Sequence, residues 1–291
     1  MKGIVLAGGT GSRLWPVTLA TSKQLLPVYD KPMIYYPIST LMLAGIREIL
    51  IITTPQDQPQ FMQLLGDGSD LGMAFEYATQ AEPKGLAEAL LIGEKYLSGD
   101  SCLMVLGDNL FHGVGLGKEI VAVLPSKGAH IYTYEVVNPN DYGVLEIDSK
   151  GKPISITEKP RNLISNLAIT GLYFFDTNAP QIARGISPSA RGELEITSVL
   201  DVYLKSELLT YTQISRGSAW LDTGNASSMH DAATYVRVME ERTGLKIGCM
   251  EEIALLNGWI NSEEMLKTIS RYKGNSYGRY VESLIHKSIG V

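Results

Sequence analysis

The chain begins with a short apolar run that ends in a loop of closely spaced glycines. Residues 4–7 read Ile-Val-Leu-Ala, and Gly8, Gly9 and Gly11 follow directly. An apolar run of this length predicts a buried β-strand, and glycine lets the backbone after it turn sharply and approach an anion closely. The first strand is therefore expected to lie inside a sheet and to end in a phosphate-binding loop.

Two familiar phosphate-binding motifs do not fit this loop. The dinucleotide fingerprint needs a third glycine where Leu14 stands, and the P-loop needs Gly-Lys-Ser/Thr where the chain has Gly11-Ser12-Arg13. Arg13 lies beside the loop instead, and Lys23 follows ten residues later. A guanidinium binds two phosphate oxygens at once and an ammonium is a mobile point charge, so the pair favours a polyphosphate. An isolated Arg or Lys is more often a solvated surface charge.

Strand and helix patterns alternate along the first 110 residues. Continuous apolar, β-rich runs predict buried strands, and segments with apolar residues at helical spacing predict helices between them. This alternation predicts an α/β fold with a doubly wound, mostly parallel mixed sheet, in which ligands bind at the carboxyl ends of the strands. The predicted strands span residues 48–53, 74–78 and 103–106, and the predicted helices span residues 32–45, 60–65 and 85–96.

The rhythm changes after residue 110, where strand patterns follow one another with turns between them. A turn at residues 148–151 is typical of the hairpins expected to be inserted here. From residue 226 the pattern is helical, with Gly274 as a stop. We predict an α/β domain over residues 1–225, divided near residue 110, and a helical region over residues 226–291 packed on it. The predicted strands span residues 131–137, 143–147, 153–158, 167–175, 211–214 and 220–222, and the predicted helices span residues 195–203, 226–242, 250–257 and 262–272.

The charge balance argues against nucleic acid as a partner. The chain has 291 residues, with 25 Lys and Arg against 31 Asp and Glu, so its net charge is -6 and no basic field exists. No apolar run approaches the ~18 residues that cross a membrane, and the start does not read as a signal peptide. Cys102 and Cys249 are expected to be buried free thiols in a reducing compartment. We therefore expect a cytoplasmic protein with small-molecule partners.

Two aspartates are the candidate metal ligands. Asp108 and Asp222 each end a short apolar run, so each could present a carboxylate at the sheet's carboxyl edge, beside a triphosphate that needs Mg²⁺. Each could equally be a turn or helix cap. None of the four histidines pairs with another at metal spacing, and nothing resembles a serine or cysteine triad.

The N-terminal motif resembles a known family signature. LAGGTGSRLWPVT at residues 6–18, completed by Lys23, is similar to the signature of the sugar-1-phosphate nucleotidylyltransferases, which join a nucleoside triphosphate to a sugar 1-phosphate and release pyrophosphate. SKQLLPVYDKPMIYYP at residues 22–37 resembles the glucose-1-phosphate thymidylyltransferase branch. The resemblance covers about residues 1–235 and, less distinctively, the rest. It implies a Rossmann-like nucleotidyltransferase fold whose sugar-binding part lies at about residues 111–225.

The resemblance implies a role for each residue that matches the family's motifs. Arg13, Lys23 and Asp108 are implied as catalytic residues, and Asp108 and Asp222 as ligands of Mg²⁺. The implied nucleotide-binding residues are Leu6, Gly8, Gly9, Thr10, Gly11, Gln24, Gln80 and Gly85. The implied sugar-phosphate-binding residues are Leu86, Tyr142, Gly143, Glu158, Lys159 and Tyr173.

The side chains suit these implied roles. The carboxamides of Gln24 and Gln80 offer a donor and an acceptor together, which complements the imide edge of thymine or uracil. Glu158 can accept hydrogen bonds from vicinal hydroxyls, and Lys159 can meet the sugar's phosphate. Trp220 is expected to support the site from the core.

One loop departs from the family's pattern. In Glu-Pro-Lys-Gly-Leu-Ala at residues 82–87, Lys84 replaces the usual acidic residue before the glycine, and Glu88 stands where relatives often have Gln. Both departures bear on fine specificity.

The resemblance implies conversion of glucose 1-phosphate and dTTP to dTDP-glucose and pyrophosphate. UTP is an alternative substrate, since one methyl group is worth only ~1 to 3 kcal/mol in an apolar pocket. A non-catalytic nucleotide-sugar sensor is a second alternative, but it would keep the glycine loop and lose the cations or the carboxylates. A nicotinamide-dependent oxidoreductase fails for lack of the third glycine.

The resemblance also bears on mechanism and assembly. A sugar phosphate is already an ionised nucleophile, so a single in-line displacement is expected without a general base. The family further implies a homotetramer, feedback by dTDP-rhamnose through the helical tail, and a place as the first step towards dTDP-rhamnose and related deoxysugars.

Overall fold

The first strand, β1 (Lys2–Ala7), lies between two parallel neighbours, β6 (Cys102–Leu106) and β4 (Glu48–Thr53). Its last five residues are buried, as expected of a strand that is covered on both faces. The computed structural model describes residues 1–162, 164–272 and 274–289, with side chains in the last segment described to residue 285. The prediction of a buried first strand is confirmed.

The remaining elements divide into strands and helices as follows. The strands are β2 (Pro27–Val28), β3 (Lys31–Pro32), β5 (Ala74–Thr79), β7 (Asn109–His112), β8 (Ala129–Glu135), β9 (Gly143–Ile147), β10 (Pro153–Glu158), β11 (Leu167–Phe175), β12 (Leu209–Gln213) and β13 (Ala219–Asp222). The helices are α1 (Tyr35–Leu43), α2 (Gln58–Leu65), α3 (Glu88–Leu97), α4 (Leu116–Ala122), α5 (Ala179–Gly185), α6 (Ile196–Lys205), α7 (Ala226–Thr243), α8 (Met250–Leu256), α9 (Ser262–Ile269) and α10 (Ser276–Ile289).

A mixed sheet organises these elements. Its order is β10-β9-β11-β6-β1-β4-β5, with β8 paired to β11 and β12 paired to β8. The neighbours β6, β1, β4 and β5 are parallel because helical crossovers join them, whereas β11 runs antiparallel to β6, β8 and β9 because hairpins enter there. The predicted α/β fold with a mixed, doubly wound sheet is confirmed. The carboxyl ends of β1, β5 and β6 therefore meet at one edge.

Most sequence-predicted elements agree with the structure to within about three residues, and β9, β10 and β11 match their predicted ranges. The prediction missed β2, β3, β7, α4, α5 and α10. Strand β7 spans only Asn109–His112, which is too short for a periodic pattern. It pairs with β13 in a separate antiparallel ladder, in which Asn109 lies opposite Asp222. This ladder brings the two predicted metal ligands to one place.

The C-terminal helices pack on the α/β core. Helix α8 contacts α1, and α7 contacts strand β2 beside the N-terminal motif. A buried ion-pair network reinforces this contact: Lys31 Nζ lies 2.9 Å from Glu240 Oε1, Lys246 Nζ lies 2.8 Å from Glu240 Oε2, and both ammonium groups also pair with Asp30. Charges this deeply buried are stable only when paired, so α7 is held to the chain that follows the glycine loop.

Two smaller predictions are also confirmed. Cys102 and Cys249 are free and buried. Residues 148–151 form a turn, in which the N–H of Gly151 donates to the carbonyl of Asp148 at 3.0 Å. Among the described residues, none of the helices combines the length and the apolar character needed to cross a membrane.

A histidine in the sheet makes folding sensitive to acid. His130 is 2% exposed, and its ring nitrogens lie 2.7 Å from Thr210 Oγ1 and 3.1 Å from Thr212 Oγ1. Burial lowers the pKa of His130 from 6.5 to about 4. Between pH 6.5 and about pH 4, the unfolded chain therefore binds a proton at this imidazole more readily than the folded protein does. Acid thus favours the unfolded state. We expect the free energy of unfolding to lose about 2 kcal/mol through this group between pH 7 and pH 5.

The measurement is urea unfolding of the wild-type protein and a His130→Gln variant between pH 5 and pH 8. Glutamine keeps a donor and an acceptor for the two threonines but does not titrate in this range. The free energy of unfolding of the wild-type protein minus that of the variant should fall by about 2 kcal/mol as the pH falls from 7 to 5. A constant difference would show that the folded protein binds a proton at His130 as readily as the unfolded chain does.

Candidate active site

A cavity of about 400 Å³ opens at the carboxyl edge of the sheet. Residues that follow β1, β5 and β6 line one part of it, and residues from β9, β10 and β11 line another. The cavity brings together every residue to which the sequence assigned a role. These residues are Leu6, Gly8, Gly9, Thr10, Gly11, Arg13, Lys23, Gln24, Gln80, Gly85, Leu86, Asp108, Tyr142, Gly143, Glu158, Lys159, Tyr173 and Asp222.

The glycine loop has the backbone conformation that its composition predicted. Gly9 and Gly11 have φ angles of +94° and +60°, in the left-handed region that favours glycine. At Gly9 a Cβ atom would have no heavy atom of the described residues within 4 Å, so the backbone faces open space. The hydroxyl of Thr18 donates to the carbonyl of Gly11 at 2.7 Å and fixes the end of the loop. The loop is thus shaped for a large anion.

Opposite charges alternate next to this loop. The ammonium of Lys23 forms a partly buried ion pair with Asp108 Oδ2. The guanidinium of Arg13 and the carboxylate of Asp222 both lie close to Gly224. A Cβ atom added to Gly224 would be 3.1 Å from each of them. Cations and carboxylates therefore lie side by side next to the glycine loop.

The two aspartates respond differently to burial. Burial alone would raise the pKa of Asp108, but the ammonium of Lys23 and its hydrogen bond hold that pKa below the ordinary value. Burial, followed by the negative charge of Asp108, raises the pKa of Asp222 to about 6. Asp222 lies opposite Asn109, the residue after Asp108, so the two carboxylates share one site. Two such charges are stabilised by a cation between them.

The part of the cavity beside the glycine loop carries two buried amides. Gln24 is 2% exposed, and the hydroxyl of Ser22 donates to its Oε1 at 2.6 Å. Gln80 is 6% exposed and follows β5 directly. Both lie near the strand ends that carry the glycine loop, so a planar base bound there would meet their polar edges.

The wall formed by β9 and β10 combines a carboxylate with cations. Thr197 Oγ1 donates to Glu158 Oε2 at 3.2 Å, and burial followed by the charge of Glu195 raises the pKa of Glu158. A Cβ atom at Gly143 would lie 2.9 Å from Thr197 Cγ2, so glycine leaves this wall open. Lys159 has a φ angle of +45°, a left-handed conformation that costs an L-residue about 1 to 2 kcal/mol. Its side chain is retained in spite of that cost.

Several cavity residues escaped the sequence reasoning, and Arg191 is the main one. Its guanidinium lies 2.8 Å from Glu195 Oε1 and 3.4 Å from Glu158 Oε1. No motif marks it, because it lies in an irregular segment between α5 and α6. Asn109, the residue after Asp108, is a second cavity residue that was missed. Its Nδ2 donates to Asp108 Oδ1 at 3.0 Å, and its Oδ1 accepts from the N–H of Gly171 at 3.1 Å.

Trp220 lines the cavity as well as supporting it. It is 7% exposed, its indole N–H donates to Asn109 Oδ1, and its ring meets that of Tyr142 edge to face at 5.0 Å. Tyr173 is 4% exposed and stacks with Phe175 at 6.0 Å between ring centroids. Both rings form rigid walls.

No histidine of the described side chains lines the cavity. His112 pairs through Nδ1 with the hydroxyl of Tyr235 at 2.8 Å, and His130 pairs with two threonines in the sheet. The side chain of His286 lies outside the described residues. The described part of the chain also holds no cluster of three or more His, Cys, Asp or Glu side chains.

Known proteins are similar to this chain in sequence and in fold. Residues 2–238 match the family described as nucleotidyl transferase. The chain is 50% identical to the glucose-1-phosphate thymidylyltransferase of Mycobacterium tuberculosis strain H37Rv and 48% identical to that of Neisseria meningitidis serogroup A. Each alignment covers 99% of this chain and all of the relative.

Solved structures of related proteins have a similar fold. A crystal structure from Bacillus anthracis, assigned to a glucose-1-phosphate thymidylyltransferase and containing sucrose, superposes with a TM-score of 0.76 at 38% identity, over 81% of this chain and 95% of that one. A UDP-glucose pyrophosphorylase complexed with UDP-glucose superposes with a TM-score of 0.73 at 23% identity, over 82% of this chain and 98% of that one, which shows the fold alone. The chain therefore belongs to the nucleotidyl transferase family and is a nucleotidyltransferase that groups with the glucose-1-phosphate thymidylyltransferases.

Proposed function

We propose that the chain transfers a deoxythymidylyl group from dTTP to glucose 1-phosphate, giving dTDP-glucose and pyrophosphate. One observation carries this function. A single cavity joins a glycine loop flanked by Arg13 and Lys23 to a second wall with Glu158, Lys159 and Arg191. The first wall suits a nucleoside triphosphate and the second suits a phosphorylated sugar, so both substrates can meet within one site. Relatives at about half identity over their full length support the choice of substrates.

The chemistry is a displacement at phosphorus. A phosphate oxygen of the sugar phosphate forms a bond to the α-phosphorus while the bond from that phosphorus to the β-phosphate oxygen breaks, and pyrophosphate leaves. Arg13 and Lys23 neutralise the charge that develops on the phosphates, and Lys159 and Arg191 hold the attacking group. The backbone amides of the glycine loop can donate to phosphate oxygens. The chain therefore contributes orientation and charge stabilisation.

Magnesium is part of this proposal. Asp108 and Asp222 offer hard oxygen ligands in one place, and their mutual repulsion favours a divalent cation. Two carboxylates leave other coordination positions to phosphate oxygens and water, which is how Mg²⁺ is usually held beside nucleotides. When bound, Mg²⁺ would polarise the phosphates and offset their charge. Lys23, which pairs with Asp108, would turn to the phosphates when they enter.

The reaction is expected to proceed without a covalent nucleotidyl-enzyme. Such an adduct needs a neutral nucleophile in line with the α-phosphorus. Lys23 is paired with Asp108, and the phosphates would keep Lys159 protonated. We therefore expect inversion of configuration at a chiral α-phosphorothioate of dTTP, measured by NMR of the product, and intersecting lines in two-substrate kinetics. Retention, or pyrophosphate exchange into dTTP without sugar phosphate, would show that a covalent nucleotidyl-enzyme forms.

The substrate assignment is tested by pyrophosphate release over a grid of triphosphates and sugar 1-phosphates. The expected optimum is dTTP with glucose 1-phosphate. Higher kcat/KM with UTP would instead favour a uridylyltransferase that makes UDP-glucose. Binding of dTDP-sugar without turnover of any pair would favour a nucleotide-sugar sensor, which the retention of Arg13, Lys23, Asp108 and Asp222 argues against.

We also propose a homotetramer that works in the cytoplasm, early in the synthesis of dTDP-rhamnose and related deoxysugars used in cell-surface polysaccharides. Large apolar side chains on the surface, among them Val114 at 98% exposed and Leu256 at 77% exposed, are consistent with contacts between subunits. Allosteric feedback by dTDP-rhamnose through the helical tail belongs to the same proposal. Sedimentation at micromolar concentration tests the assembly, and a monomer of about 31.8 kDa would contradict it. Inhibition kinetics with dTDP-rhamnose test the feedback.

A further inference from the structure

The amide of Gln80 has one chemically allowed orientation. Its Nε2 lies 3.0 Å from the carbonyl oxygen of Gly85 and 2.8 Å from Glu88 Oε2. A carbonyl and an ionised carboxylate can only accept hydrogen bonds, so the NH₂ group must point towards both of them. A flipped amide would put its oxygen against two other oxygens. The orientation is therefore set by these two partners.

The other end of the amide faces the candidate base site. Gln80 lines the cavity, and its Oε1 would lie 2.8 Å from a Cβ atom at Gly8, so it points towards the glycine loop. None of the described residues donates a hydrogen bond to this oxygen. Gly8, which has no side chain, leaves it accessible. The cavity thus presents an acceptor, and no donor, at this position.

Glu88 is held in a position from which it can orient the amide of Gln80. It is the first residue of α3, where the helix dipole favours a negative charge. The loop before it is fixed by two backbone hydrogen bonds to Leu194, one from Leu194 N to Lys84 O at 2.6 Å and one from Ala87 N to Leu194 O at 3.0 Å. Gly85, with a φ angle of +105°, passes so close to Leu194 that a Cβ atom would lie 2.4 Å from its carbonyl oxygen. Glu88 itself does not line the cavity.

We propose that Glu88 is a positioning residue that sets base selection by fixing Gln80 as a hydrogen-bond acceptor. This inference rests on the proposed nucleotide substrate. An imide base such as thymine or uracil presents an N–H at its third ring position, which Gln80 Oε1 can accept. Cytosine has a lone pair there, so two acceptors would face each other. Glu88 thereby discriminates against dCTP without touching the nucleotide.

The test compares kcat/KM for dTTP, UTP and dCTP in the wild-type enzyme and in Glu88→Gln and Glu88→Lys variants. Glutamine can donate to Gln80 and partly releases the amide, whereas lysine offers only donors and favours the flipped amide. We expect the dTTP to dCTP ratio to fall about threefold to tenfold in Glu88→Gln and at least about tenfold in Glu88→Lys, where tenfold corresponds to about 1.4 kcal/mol. The dTTP to UTP ratio should stay constant, because both bases carry the same imide edge.

Glu82→Gln is the matched control. Glu82 lies on the same loop and pairs with Lys84 at 3.1 Å, whereas the side-chain hydrogen bonds of Gln80 go to Gly85 and Glu88. This variant should keep the wild-type ratios. If both Glu88 variants lose activity equally with all three nucleotides, Glu88 has only a structural role and the inference is wrong.

A binding measurement separates this inference from the proposed function. Equilibrium titration of dTTP and dCTP needs no turnover, so it reports base selection even if glucose 1-phosphate is not the acceptor. It also reports selection for a variant whose catalysis is lost. Wild-type protein that fails to release pyrophosphate would contradict the proposed function. An unchanged dTTP to dCTP affinity ratio in folded Glu88→Lys, with folding checked by circular dichroism, would contradict the role of Glu88.

Discussion

Replacing Asp222 or Asp108 with asparagine should remove most of the magnesium-dependent activity, a loss on the order of 10³-fold at ordinary Mg²⁺ concentration. Each change takes one negative charge from a site that holds two carboxylates and must receive a triphosphate. An amide has nearly the same shape as a carboxylate, so the lost charge is the main change. The loss should be partly reversed by raising the concentration of Mg²⁺, because metal affinity is what the carboxylates supply.

The measurement is initial pyrophosphate release as a function of Mg²⁺ concentration. Asp201→Asn is a suitable control, since Asp201 lies on the surface of α6 and pairs with Lys205 at 2.5 Å, away from the cavity. Full activity of Asp222→Asn at ordinary Mg²⁺ would mean that this carboxylate only shapes the strand end. Full activity of Asp108→Asn would mean that Asp108 mainly serves as the partner of Lys23.

Replacing Arg13 with alanine should lower kcat by about 10²- to 10³-fold, with a smaller change in KM. The guanidinium lines the cavity beside Asp222 and the glycine loop. Charge builds up on the oxygens around the α-phosphorus during displacement, so a cation placed there stabilises the transition state more than the bound substrate. Lysine at this position should restore part of kcat, because it keeps the charge but loses the two-point contact.

Steady-state kinetics with dTTP and glucose 1-phosphate give the separate changes in kcat and KM. Arg237→Ala serves as a control, because Arg237 pairs with Glu241 on the surface of α7. An effect of Arg13→Ala on KM alone would assign the guanidinium to ground-state binding of the triphosphate. The role predicted for Arg13 in stabilising the transition state would then be wrong.

The strands of the sheet could be predicted from the sequence because their signal is local. Residues 143–147, 153–158 and 167–175 alternate or run apolar between clear turns, and the structure has strands over the same ranges. Strand β7 could not be predicted, since its four residues are defined by a partner more than a hundred positions away. Helix α10 was missed because Gly274 was interpreted as a stop, whereas the chain starts a new helix two residues later.

The cavity residues could be anticipated where a motif carried them, and Arg191 shows the limit. Its position depends on how the segment between α5 and α6 folds back towards Glu158, which no short pattern encodes. The contact between Glu88 and Gln80 was equally hidden, although Glu88 itself stood out as a departure from the family's pattern. Its contact with Gln80 depends on the close approach of Gly85 to Leu194. Hydrophobic periodicity in the sequence cannot predict tertiary contacts of this kind, because it reports only local structure.

The left-handed backbone of Lys159 implies a trade-off between stability and activity at one position. Glycine would adopt that conformation without strain and would be expected to stabilise the fold by about 1 kcal/mol. The same replacement would remove a cation from the wall proposed to bind the sugar phosphate. A glycine at this position would therefore favour heat resistance, whereas the lysine would favour turnover if it binds the sugar phosphate as proposed. Thermal engineering of this enzyme should leave that position untouched.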